Sequence, residues 1–176
     1  MTHPQEPQYR QFQAPIEMPL GLVPEDAANR ILVQYWDDDV YPVDPYVIAK
    51  KLGIQVFVGS LPADISGMYR MGDNGQEIFV ERSDHKNRKR FTVGHEIGHA
   101  IRNPQKWHMD RKRDGVASEG TDAEEIYANQ FSAALLMPRF AVQKLVTLGW
   151  DVTAMSNFFG VSNLAMENRL KNLGYA

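Results

Sequence analysis

Arg90-Phe91-Thr92-Val93-Gly94-His95-Glu96-Ile97-Gly98-His99-Ala100-Ile101 is the stretch from which the rest of the chain is read. His95, Glu96 and His99 make the pattern H-E-x-x-H. On a helix, residues four apart sit on one side, one turn above each other. Two imidazoles at that spacing can reach a single metal ion. Glu96 stands beside them, where a carboxylate can take a proton from an activated water. Val93, Ile97, Ala100 and Ile101 supply a separate apolar face, so the spacing predicts a core-packed helix with a cleft on its ligand side. Gly98 is a poor mid-helix residue. Its place suggests that another backbone, a peptide substrate or a neighbouring strand, comes close there.

A hydrolytic zinc site needs a third protein ligand. The chain has no cysteine, so the donor must be His, Asp or Glu. His108 lies nine residues beyond His99, in a polar stretch from Asn103 to Gly120 that reads as a loop, outside the usual register for a third ligand. The next helix is better placed. Thr121-Asp122-Ala123-Glu124 is a capping box that marks its start, and Glu125 and Asn129 follow on one face. A carboxylate one turn before an amide suits a ligand and a partner that fixes an imidazole tautomer. Glu125 on its own reads more readily as a solvated helix charge. Glu124 competes with it, although the capping box gives Glu124 other work.

Outward from this pair of helices, the order of elements is α+β. Residues 1–20 are rich in Pro and Gln and read as a flexible leader. A helix begins near Pro24, with Ala28, Ile31, Leu32, Tyr35 and Trp36 on one face. Asp44-Pro45 starts a short helix that Gly53 ends. Ile54–Val58, Ser66–Met71 and Glu77–Glu81 are three strands, the last two joined across Gly72–Gln76. Helices follow at 84–102, 122–136, 139–148, 152–159 and 163–173. Runs of strands followed by runs of helices, without βαβ alternation, indicate a small three-stranded sheet packed on the H-E-x-x-H helix. We divide the chain into the leader, a main domain over 21–150, and a C-terminal helical pair over 151–176 packed on that domain. The net charge of -3 offers no basic field for nucleic acid. No signal peptide and no membrane-length apolar run is present, which with the absence of cysteine points to a cytoplasmic protein.

The segment Arg90–His99, followed by Glu125-Ile126-Tyr127-Ala128-Asn129-Gln130-Phe131-Ser132-Ala133-Ala134-Leu135-Leu136-Met137-Pro138, resembles the ImmA/IrrE family of metallopeptidases. The likeness covers roughly residues 25–175. Two positions depart from the family pattern: Ser132 and Gly94 stand where Ala is common. The resemblance implies a zincin-like fold of the thermolysin type. It implies His95, His99 and Glu125 as zinc ligands and Glu96 as general base and acid. It implies cleavage or inactivation of a helix-turn-helix repressor, often encoded next door, in phage, mobile-element or stress-response control. Mn²⁺ or Fe²⁺ suits similar ligands.

Peptide hydrolysis also calls for an oxyanion donor, and Tyr69, Tyr127 and His108 are the candidates. The strand Ser66–Met71 or Glu77–Glu81 is the expected edge for pairing an extended substrate. Two rival functions remain at this point. The chain could be a non-catalytic anti-repressor that only binds its partner. It could also bind DNA through Thr153–Leu173, two short helices joined by Gly160-Val161-Ser162, although Arg169 and Lys171 are the only cations that the second helix offers. The run Arg88-Lys89-Arg90 reads as a solvated or salt-bridged face.

Overall fold

Pro24 opens α1 (Pro24–Tyr35), whose Ala27, Ala28, Ile31 and Leu32 are buried. Asp44 caps α2 (Pro45–Lys51), its carboxylate accepting from the Tyr46 N–H at 2.9 Å. The strands are β1 (Gln55–Gly59), β2 (Ile65–Gly72), β3 (Gly75–Glu81) and β4 (His108–Arg111). The remaining helices are α3 (Lys86–Arg102), α4 (Ala123–Leu136), α5 (Arg139–Thr147), α6 (Val152–Phe159) and α7 (Asn163–Asn172). This computed structural model describes residues 21–37, 39–111 and 123–175. The expected leader over 1–20, and Thr121 and Asp122 of the expected capping box, lie outside the described residues. Among the described residues no helix is long and apolar enough to cross a membrane.

The fold is α+β, and among the described residues its sheet has four strands where the sequence indicated three. Their order is β1-β3-β2-β4. β2 and β3 form the hairpin, with Gly72 facing Gly75. β1 runs parallel to β3, and β4 runs antiparallel to β2 with a bulge between Ile65 and Gly67. β4 falls inside the stretch read as a loop. Its residues are mostly polar and it is four residues long, so no alternation marks it; pairing with β2 makes it a strand. The strand order corrects a second expectation. β2 and β3 are both interior, so neither Ser66–Met71 nor Glu77–Glu81 has a free edge. Among the described residues the edges are β1 and β4.

α3 lies between the sheet and α4 and is buried continuously from Thr92 to Ala100. The ligand side is therefore covered as well as the apolar side. Gly94 and Gly98 explain how α4 comes so near. A Cβ at Gly98 would stand 3.0 Å from the Ala128 Cα and 3.2 Å from the Phe131 ring. At Gly94 it would stand 2.5 Å from the Ser132 Oγ, which itself donates to the Phe91 carbonyl at 2.8 Å. The close neighbour of Gly98 is thus a helix, not a strand or a bound peptide. The two departures from the resemblance pattern touch each other: a residue with one atom fewer at 94 makes room for one with an extra hydroxyl at 132.

A second group of buried residues joins the end of α4 to α5, α6 and α7: Leu136, Met137, Val142, Phe159, Met166 and their neighbours. Two buried arginines fasten this group. Arg90, 7% exposed, donates from Nη2 to the carbonyls of Val43 and Phe159 and from Nε to that of Gly160. It is not a solvated residue of a basic run, because the neighbouring loops turn their carbonyls onto it. Arg169, 5% exposed, grips both carboxylate oxygens of Glu25 at 2.8 and 2.9 Å and the Met137 carbonyl at 3.0 Å.

Candidate metal centre

The close α3–α4 packing decides where the polar residues meet. His95 and His99 project from one side of α3 toward Glu125 in the first turn of α4. The Nε2 atoms of His95 and His99 are 3.0 Å apart. Glu125 places Oε2 3.5 Å from the first and Oε1 3.3 Å from the second. Four-coordinate zinc bound at about 2.0–2.1 Å sets its ligand atoms about 3.3 Å from one another. The triangle is therefore of the size that one such ion requires.

The remaining ring nitrogen of His95 is held as well. Its Nδ1 lies 3.0 Å from the Asn129 Oδ1. The amide oxygen accepts only, so Nδ1 carries a hydrogen toward it and the ring is held with Nε2 facing the triangle. Burial lowers the pKa of His99, against the raising effect of its hydrogen bond to Glu125. Its neutral form, the one that ligates, is thereby favoured near neutral pH. For Glu125 burial acts upward, but the hydrogen bonds from His108, His95 and His99 win and hold it far below the usual carboxylate range. The carboxylate form is the one present.

Glu96 is fully buried. One oxygen, Oε2, lies 2.9 Å from the His108 Nδ1, while Oε1 has no hydrogen-bond partner among the described residues. A buried carboxylate oxygen left without a donor costs free energy, which is tolerable where a ligand supplies the donor. The backbone of β2 passes directly over it: a Cβ at Gly67 would lie 2.9 Å from Oε1 and 2.3 Å from the Thr92 Cγ2. The sequence reading passed over Gly67, although a lone glycine within a strand is itself a mark of close approach.

His108 is the main correction. It is on β4, not in a loop, and its Nε2 is 2.6 Å from the Glu125 Oε1. Pairing opposite Tyr69 turns it toward α3. His95, His99, His108 and Glu125 together form a group able to hold a metal ion. Ring geometry separates His108 from the other three. The His99 and His108 rings are stacked at 3.5 Å with 18° between their planes. Lone pairs of imidazoles lie in the ring planes, so an ion midway between near-parallel rings would sit roughly 1.7 Å out of each, against a bond of about 2.0–2.1 Å. His108 thus bridges two carboxylates in this arrangement and does not complete the triangle. Burial lowers its pKa, but hydrogen bonds and charge from Glu125 and Glu96 outweigh this and raise it to about 9.

The other two oxyanion candidates stand apart. The Tyr69 hydroxyl donates to the Pro104 carbonyl at 2.6 Å, and burial pushes its pKa up to about 12. Tyr127 has the Arg102 guanidinium 4.5 Å above its ring, and no hydrogen bond among the described residues ties it to the cluster. Glu124, outside the triangle, is bonded to Lys106 and Asn103.

Known proteins resemble this chain in sequence and in fold. Over 118 residues, 67% of this chain and 70% of the relative, the sequence is 28% identical to the "uncharacterized immunity region protein 2" of Bacillus phage phi105. A solved structure titled "Mycobacterium tuberculosis transcriptional regulator" superposes with a TM-score of 0.57 at 18% identity, covering 84% of this chain. This chain spans 46% of that protein, and the likeness is one of fold. The model of the Peptidase_M78 family, described as the IrrE N-terminal-like domain, matches residues 49–171, and the chain belongs to that family.

Proposed function

We propose that this chain is a zinc-dependent endopeptidase that inactivates a helix-turn-helix repressor in the cytoplasm. One observation carries the reading: two imidazole Nε2 atoms and a carboxylate converge at ligand spacing beside a buried glutamate whose Oε1 faces no donor among the described residues. In this reading His95, His99 and Glu125 hold the metal and Asn129 fixes the His95 tautomer. Zinc, when bound, acidifies a water and polarises the scissile carbonyl. Glu96 takes the proton of the attacking water and returns it to the leaving amine. His108 holds N–H groups at the same place, and of the three candidates it is the one positioned to donate to the oxyanion. β4 carries His108 and is an edge strand, so it replaces β2 and β3 as the strand that an extended substrate would pair with.

Family membership supports peptidase chemistry, and the phage relative's immunity-region name supports repressor control. The DNA-binding alternative loses ground because Arg169 is turned inward onto Glu25. The test is co-incubation of the chain with a helix-turn-helix repressor encoded beside its gene, with zinc or with a chelator. Wild-type protein with zinc should cut the repressor, and Glu96→Gln should bind zinc equally but leave the repressor intact. If Glu96→Gln inactivates the repressor as well as wild type does, the chain is a binder and the peptidase reading fails.

A further inference from the structure

The open edge of β1 leads away from the metal centre. Gly59 accepts from the Arg82 N–H at 2.8 Å, so Gln55, Phe57 and Gly59 direct their backbone groups toward β3. By the alternation of a strand, Val56 and Val58 direct theirs to the other side. Among the described residues no strand pairs there. Edges of this kind are normally blunted by charge, proline, a bulge or shortness. β4 is short and has a bulge beside it; Gln55-Val56-Phe57-Val58-Gly59 has no charge, no proline and no bulge. Phe57 and Val58 are 42% and 45% exposed on opposite faces, and the Phe57 ring stacks on Phe79 at 5.1 Å.

We propose that β1 pairs antiparallel with β1 of a second copy of this chain, about a two-fold axis through Phe57. The strand is nearly a palindrome about that residue. In this register Val56 faces Val58 of the other copy, and both present unpaired N–H and C=O groups, which gives hydrogen-bonded pairs on either side of the axis. Phe57 meets its own copy in the intervening pair, where side chains come closest, and the two Phe57–Phe79 stacks join into one row. A neutral, self-matching strand fits another copy of itself better than it fits a charged partner segment.

The absence of cysteine makes the register directly testable in the full chain. Gln55→Cys and Gly59→Cys proteins should each form no disulfide-linked dimer under mild oxidation, and an equimolar mixture should form it. Phe57→Cys should cross-link alone, since its Cα atoms would face each other at about 4.5 Å, within disulfide reach. Sedimentation velocity from about 1 to about 200 µM should show wild type passing from monomer to dimer. Val58→Pro removes an outward N–H that β3 does not use, so it should weaken dimerisation at least tenfold with unchanged circular dichroism and zinc binding. A wild-type chain that stays monomeric throughout, cross-linking by Gln55→Cys alone equal to that of the mixture, or dimerisation unaffected by Val58→Pro would each overturn the proposal.

Discussion

Gly94 and Ser132 can be exchanged for the alanines of the resemblance pattern one at a time or together, and the structure specifies what each step does. Gly94→Ala alone puts a methyl 2.5 Å from the Ser132 Oγ, far inside the roughly 3.5 Å of an ordinary contact. Either α4 moves away or the hydroxyl swings off the Phe91 carbonyl, at about 1–3 kcal/mol for the overpacking, partly offset by about 1 kcal/mol of helix propensity. Ser132→Ala alone loses the 2.8 Å bond to Phe91, worth about 1 kcal/mol. In the double variant the nearest atoms are the Cβ and Cα of residue 132, at 3.3 and 3.5 Å, so the clash is gone. The lost bond and the gained propensity are each about 1 kcal/mol and cancel. The double variant should match wild type in denaturant unfolding, with a favourable coupling of about 1–3 kcal/mol between the sites. Zinc affinity by chelator competition should follow the same order, because displacement of α4 carries Glu125 with it. Single variants whose effects add within about 0.5 kcal/mol would refute the idea that this contact sets the α3–α4 distance.

Gly98→Ala meets backbone at the Ala128 Cα, 3.0 Å away, with no side chain able to turn aside; zinc affinity measured by competition should fall at least about tenfold, since ligand positions are tolerant only to about 0.2 Å. Arg169→Met leaves Glu25 only its 3.8 Å ion pair with the half-exposed Arg139; a fully buried pair broken outright costs about 3–5 kcal/mol. Because the Glu25 side chain is 22% exposed, a loss of about 2–3 kcal/mol in urea unfolding is expected. In chelator-treated protein, His108 has a folded pKa of about 9 against an ordinary 6.5. Its contribution to stability is complete below about pH 6.5 and disappears as pH rises through about 9. Thermal unfolding of His108→Gln should therefore differ from wild type near pH 6 and converge with it above about pH 9.5.

The helices could be read from the sequence because each carries its own signal. Pro24, Asp44-Pro45 and Gly53 mark ends that the structure places within a residue or two. The H-E-x-x-H pair could be read because its geometry belongs to one helix. Glu125 needed a second helix at a particular height. The signal for that height was present in Gly94, Gly98, Ala128 and Ser132, small residues at spacings of four on both helices, but their meaning depends on facing each other. β4 had no local signal. Its four residues become a strand only because β2 has an edge to offer, and with that strand the position of His108 changes from a loop to the metal centre. Local rules find elements; they do not find a residue whose role depends on tertiary pairing.

Arg90 and Arg169 show the same dependence with a different consequence. In the sequence both are cations near helix ends, one in a basic run and one in a segment shaped like a helix-turn-helix. Both are buried, and each joins α3 or α7 to parts of the chain far away in sequence. Arg90 reaches from the H-E-x-x-H helix to the last carbonyls of α6 and to Val43 before α2. Arg169 reaches from α7 to Glu25 in the first turn of α1 and to the end of α4. Between them they tie the C-terminal pair to both helices that carry the candidate ligands. A recognition helix has to turn its cations outward to phosphates, whereas α7 turns Arg169 inward and exposes Leu164 and Glu167. The physical reading of α6 and α7 is therefore a clamp on the α3–α4 layer, and the helix-turn-helix shape comes from a tight Gly160-Val161-Ser162 connection that any pair of short packed helices can use.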